Sequence, residues 1–137
     1  MSDTNVILRF DELPSVDRGG GVRTTPLIKK FPVEEGITTG ITTFPPGNKV
    51  PLHAHNCAEQ VTVLAGEAEA EIDGERFRLK APDTTYIAAG KPHRFVNVGS
   101  IEMTILWIYG AREVTRTFVE SGETVGHLTE KDVGGGR

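Results

Sequence analysis

The segment "PLHAHNCAEQ" (51–60) sets two histidines one residue apart and a glutamate four positions after the second. In an extended strand, residues i and i+2 face the same side, so His53 and His55 can turn together toward one surface. Two neutral imidazoles side by side are a pair of metal ligands, and the carboxylate of Glu59 would offset part of a cation's charge. The same H-x-H spacing also occurs on solvent-facing strand edges, where it does no chemistry. Two framing glycines favour the metal reading, Gly47 six residues before His53 and Gly66 seven residues after Glu59.

These residues must be held by short strands. "NVILRF" (5–10), "VRTTPLI" (22–28), "GITTGITTF" (36–44), "EQVTVLAG" (59–66), "TTYIAA" (84–89), "HRFVNV" (93–98) and "EMTILWIYG" (102–110) are rich in β-branched and aromatic residues and are separated by Gly and Pro. No long window has a 3.6-residue apolar period, so no long helix is expected. The pattern predicts an all-β sandwich or barrel in one domain. Residues 1–20 read as an N-terminal strand and hinge, 21–120 as the barrel, and 121–137 as a polar, partly disordered tail.

Composition narrows the function classes. The chain has 137 residues, 37% of them hydrophobic and 25% charged, which suits a globular domain with a real core. A net charge of -4 gives no reason to expect nucleic acid or an anionic membrane as partner. The lone cysteine, Cys57, excludes an internal disulfide and suits a reducing compartment. The start "MSDTNVILRFDE" has neither a basic cluster nor a long apolar run, so the expected location is cytoplasmic.

One hairpin can be read residue by residue. In "GEAEAEIDGERFRLK" (66–80) the pair Asp73-Gly74 suits a two-residue type I′ turn. That turn sets Ile72 opposite Glu75, Glu71 opposite Arg76, Glu69 opposite Arg78 and Glu67 opposite Lys80. Ala70 then meets Phe77, and Ala68 meets Leu79. A slip of one residue would scramble both the charged and the apolar face, so the register is specified.

With these residues in view, the chain resembles the cupin superfamily. "GNKVPLHAHNCAEQVTVLAG" (47–66) matches the first cupin motif: glycine, H-x-H, glutamate and glycine at the family spacing. "PDTTYIAAGKPHRFVN" (82–97) resembles the second, with Gly90, His93 and Asn97 in register. It departs at Pro82 and Ala88, which fall at turn or strand-entry positions and bear on loop geometry. The resemblance implies a double-stranded β-helix, the jelly-roll or cupin barrel. It also implies one divalent metal ion (Fe, Mn, Ni or Zn) held by His53, His55, Glu59 and His93. Gln60 competes with Glu59 for the carboxylate position, but counting back from Gly66 selects Glu59.

A site of this kind leaves open positions for substrate or dioxygen. The expected function is a mononuclear non-haem dioxygenase acting on a small organic substrate. The alternatives are a non-redox isomerase, lyase or decarboxylase, and a small-molecule-binding module without turnover. Tyr86, Glu102 and Tyr109 are the catalytic candidates; Gln60, Phe95, Met103 and Trp107 are the pocket candidates. On the strand 102–109, Met103, Ile105, Trp107 and Tyr109 share one face, and the sequence does not say whether that face looks at the metal. Cys57 reads as small core filler and His127 as a surface residue. Arg94 points away from His93, and Arg23 is a weak candidate for an anion contact. Small cupins commonly associate, so a homodimer is expected, with the segment 5–10 available for strand exchange.

Overall fold

The computed structural model describes residues 6–29, 36–129 and 132. A 3-10 turn, Phe10–Glu12, precedes twelve strands: β1 (Val16–Asp17), β2 (Arg23–Pro26), β3 (Thr38–Phe44), β4 (His53–His55), β5 (Glu59–Ala65), β6 (Glu67–Ile72), β7 (Glu75–Lys80), β8 (Thr84–Ile87), β9 (His93–Asn97), β10 (Met103–Tyr109), β11 (Thr115–Phe118) and β12 (Thr124–Gly126). They form two six-stranded antiparallel sheets, ordered β1-β2-β3-β10-β5-β8 and β12-β11-β4-β9-β6-β7. This is the expected all-β jelly roll. Among the described residues, no helix is long and apolar enough to cross a membrane.

Period-2 burial explains why the sheets close on each other. Along β10, Met103, Ile105, Trp107 and Tyr109 are buried while Thr104, Leu106 and Ile108 are only half-buried. The opposite sheet supplies Ala68 and Ala70 from β6 and Phe95 from β9 to the same core. Small alanines there leave room for the large side chains of β10. Burying a side chain such as Met103 or Val63 stabilises the fold by about 1.5–3 kcal/mol. At the centre of β3, Gly40 lies opposite Trp107, and a Cβ added there would overlap the indole ring. Trp107 Nε1 donates to Thr42 Oγ1 at 2.8 Å, which fixes the ring's tilt.

The hairpin β6–β7 has the register expected of it, from Ile72 opposite Glu75 to Glu67 opposite Lys80. Asp73 and Gly74 both have positive φ, 51° and 85°, as a type I′ turn requires. Its ion pairs, however, run diagonally. Arg76 reaches Glu69 at 3.5 Å and Arg78 reaches Glu67 at 3.7 Å, while Glu71 is taken by Arg94 of β9 at 3.0 Å. Strand twist brings each arginine nearer the carboxylate one pair further along, and β9 offers Glu71 a third partner. Arg94 thus faces away from His93, as its alternation in the strand requires.

Both ends differ from the sequence expectation. Residues 6–9 are not a strand, and Val6, Ile7 and Phe10 are exposed. The sheet edge is occupied instead by β1, whose Val16 and Asp17 pair with Thr24 and Arg23 across a tight turn. Among the described residues, 6–10 pair with no strand; Asn5 lies outside them. At the other end, Thr124–Gly126 forms β12 on β11, and Asp132 is fully buried, so the tail is partly built into the fold.

Candidate metal centre

Antiparallel pairing brings the histidines together. His53 of β4 lies directly opposite His93 of β9, and His55 follows two residues on along the same face. Gly90, at φ 81°, donates its N–H to the His55 carbonyl at 2.9 Å and ties the turn before β9 to β4. Glu59 opens β5 in the other sheet, opposite Tyr109 of β10. Short strands from both sheets thus converge on one point. The nitrogens of His53, His55 and His93 all lie within 4.8 Å of one another, and all three rings are buried. Glu59 Oε1 sits 3.0 Å from His93 Nε2 and 3.7 Å from His55 Nε2.

Each imidazole is oriented by a backbone carbonyl. The Nδ1 atoms of His53, His55 and His93 face Pro51 O at 2.6 Å, Thr115 O at 2.9 Å and Lys91 O at 2.9 Å. A carbonyl only accepts, so Nδ1 must carry the proton, and in a neutral ring Nε2 keeps its lone pair. Three lone pairs and a carboxylate oxygen then face one another in a buried space. Such acceptors repel unless a cation lies among them, so this donor set fits a metal ion. Burial, then the charge of Arg116, holds His53 well below the usual imidazole range, and burial lowers His55 to about 4. Both are neutral near pH 7, the form that binds metal.

The cluster forms part of the wall of a cavity of about 50 Å³. Phe44, Phe95, Ile105 and Trp107 supply an apolar wall, and Arg18, Arg116 and His127 add polar groups. Tyr109 Oη lies 3.2 Å from His55 Nε2, and burial, with Glu59 nearby, pushes the phenol well above its ordinary pKa. Tyr109 is therefore a neutral hydroxyl beside the histidine cluster.

Other sequence candidates lie elsewhere. Tyr86 is 73% exposed on β8. Glu102 is exposed before β10, and Gln60 is exposed and bonds to Thr62 on the outer face of β5. Tyr86 and Gln60 fall on the side of their strands turned away from the barrel interior, and Glu102 lies outside the strand. Met103 is fully buried but packs in the core and does not line the cavity. Cys57 packs as core filler, its thiol pushed up by burial and by Glu59. Arg23 is exposed.

His127 corrects the surface expectation. Its ring packs against Tyr109 at 4.9 Å and Trp107 at 5.1 Å, because β12 carries the chain back across the barrel mouth. Arg18, Arg116 and Asp132 escaped notice in the sequence. Arg116 was the findable one: in "VTRTF" it alternates with Val114 and Phe118, so a strand with an apolar inner face must turn it inward.

Comparison with known proteins agrees with this architecture. Residues 40–109 match the family pattern described as Cupin domain. The chain is 35% identical over 98 residues to polyketide synthase CurC of Streptomyces cyaneus, a match covering 69% of this chain and 61% of that protein. It is 42% identical over 50 residues to quercetin 2,3-dioxygenase of Bacillus subtilis (strain 168), covering 36% of this chain and 15% of that protein. The chain thus spans less than two thirds of the length of either relative. Among solved structures, a variant of the Bacillus subtilis oxalate decarboxylase OxdC superposes with a TM-score of 0.72 at 23% identity, over 81% of this chain and 31% of that one. With the family pattern covering both histidine motifs and the strands between them, the chain belongs to the cupin family.

Proposed function

We propose that the protein is a metal-dependent enzyme in which His53, His55, Glu59 and His93 hold one divalent ion and which oxidises a small organic substrate with dioxygen. The observation that carries this reading is the set of three histidines with Nδ1 held by backbone carbonyls beside a carboxylate, at a cavity with an apolar and aromatic wall that also carries Arg18, Arg116 and His127. Ferrous iron bound there would supply the one-electron chemistry that organic molecules need to react with dioxygen. The protein's own residues do the rest. Nδ1 contacts to Pro51, Thr115 and Lys91 fix ring orientation. Phe44, Phe95, Ile105 and Trp107 exclude water, and Tyr109 places a neutral hydroxyl at the cavity wall. The match to a quercetin dioxygenase supports the same reading.

Metal analysis of protein from its native host, followed by oxygen-electrode assays with β-diketones and catechol-like compounds, tests it. One equivalent of iron and substrate-dependent oxygen uptake, abolished in His53→Ala, is the expected result. Full turnover without oxygen would overturn the oxidative part. Glu59→Ala is expected to weaken metal retention, and an unchanged metal content would remove Glu59 from the ligand set.

One observation favours a non-redox isomerase, lyase or decarboxylase as the second reading. Tyr109 is a buried, neutral phenol at the cavity wall and is placed to move a proton. Conversion of a keto acid or sugar acid under argon, lost in Tyr109→Phe with metal content retained, would select it. A homodimer remains part of our reading, supported by the exposed apolar side chains Val6, Ile7 and Phe10.

A further inference from the structure

Beside the histidine cluster lies a second buried polar group, drawn from three distant parts of the chain. Arg18 follows β1, Arg116 lies on β11, and Asp132 comes from the C-terminal segment. Arg116 Nη1 bonds Asp132 Oδ1 at 3.0 Å, and Arg18 Nη2 bonds Asp132 Oδ2 at 3.3 Å. Arg18 Nε also donates to Thr24 Oγ1 at 3.0 Å. Both arginines are at least nine-tenths buried, at 5% and 2% exposure, and both line the cavity that contains His53, Glu59 and His93.

The hydrogen bonds of this group do not close. Arg18 Nη1 and Arg116 Nε are buried and have no acceptor among the described residues. Arg116 Nη2 lies 3.3 Å from His53 Nδ1, but that nitrogen already donates to Pro51 O, so it cannot also accept. Two guanidiniums share one carboxylate, so this group by itself carries one positive charge more than it binds, with Glu59 the other carboxylate on the cavity wall. Buried donors normally find acceptors, and arginines at least nine-tenths buried without them mark a place where something else supplies the oxygen atoms. The cavity's 50 Å³ holds only a few water-sized groups, about the bulk of a short carboxylic acid.

We propose that Arg18 and Arg116 bind the carboxylate of the substrate, so that the cavity takes a small carboxylic acid held between the guanidinium pair and the histidine cluster. Asp132 then serves as a positioning residue, aligning the two guanidiniums without touching the substrate. This assignment rests on the same cavity being the substrate site.

Calorimetric titration of acetate and malonate, with acetamide and malonamide as neutral isosteres, tests it on manganese-loaded and on chelated protein. The acids are expected to bind both forms, and the amides to bind at least about 10-fold more weakly. Arg116→Met and Arg18→Met should each weaken acid binding by about 10- to 100-fold, with Arg116→Lys intermediate. The acid–amide comparison on the unaltered protein stands even if a variant fails to fold. Equal affinity for acid and amide, or acid binding lost on chelation, would overturn the assignment. If the metal titrates at one equivalent while acids fail to bind, the arginine pair is refuted and the metal reading stands. Acid binding without metal binding leaves the reverse.

Discussion

Replacing Asp132 by asparagine keeps the side chain's shape and removes its charge. In the folded protein that carboxylate accepts from Arg116 Nη1 at 3.0 Å, from Arg18 Nη2 at 3.3 Å and from the Leu128 N–H at 2.8 Å. Burial alone would push its pKa up, but Arg116 and Arg18 more than offset this and hold it below the usual carboxylate value. Asp132→Asn takes from two buried guanidiniums the carboxylate bonded to both, and breaking a buried pair in this way costs about 3–5 kcal/mol. For a chain of this size a loss of that order lowers Tm by about 10–15 °C. Thermal melts followed by circular dichroism at pH 7 read the effect directly. A group with a depressed folded pKa stabilises the fold above its unfolded pKa, and that stability is lost as pH falls through the folded value. The gap between wild type and variant should therefore narrow below about pH 4. A triple variant, Arg18→Met with Arg116→Met and Asp132→Leu, should recover much of the loss, because a packed apolar group has no charge left to balance. An Asp132→Asn variant melting within about 3 °C of wild type would refute the charge argument.

Gly40→Ala should force the indole of Trp107 off Thr42 and cost about 1–3 kcal/mol by overpacking. Trp107 is the chain's one tryptophan, so a shift in its emission maximum reports the movement, and an unchanged spectrum and melt would count against the clash. Burial, with Arg18 next, lowers His127 to about 3, so below about pH 6.5 the unfolded chain gains a proton that the folded one refuses. His127→Phe should therefore lose less stability than wild type on acidification from pH 6 to pH 4, by up to about 1.4 kcal/mol per pH unit in urea titrations of metal-free protein. Parallel pH profiles of the two proteins would show that His127 is already solvated. Saturating malonate should tighten manganese binding, and manganese should tighten malonate binding by the same factor. Independent affinities would show that the two sites do not share the cavity.

What the sequence made legible was local. The H-x-H pair, Glu59 and the segment around His93 could be placed because strand alternation and a matched spacing act over a few residues. The hairpin register followed from Asp73-Gly74 and the alternation of charge with apolar residues, since turn type and pleat are both short-range. Even there the ion pairs moved to the diagonal, because twist and the third strand β9 are properties of the sheet. Tyr86 and Glu102 were candidates by chemistry alone; Tyr86 lies on the face its strand turns outward, and Glu102 lies outside the strand. Residues 6–9 had strand composition, yet it is the two-residue β1 that pairs with β2 at that side of the sheet. Propensity can offer a strand; only topology can give it a partner.

The arginine–aspartate group is the opposite case, and charge balance explains why it belongs with the metal cluster. Arg18 and Asp132 are separated by 114 positions, and nothing within either neighbourhood marks them as partners. Among the described cavity-lining residues and Asp132, the formal charges of Arg18, Arg116, Glu59 and Asp132 cancel. A divalent ion added to that set leaves the interior with about two positive charges, an expensive state in a low-dielectric space. An anionic ligand is the group that relieves it, and the unused N–H groups of Arg18 and Arg116 are donors suited to its oxygens. Metal and carboxylate thus answer the same electrostatic requirement from opposite signs.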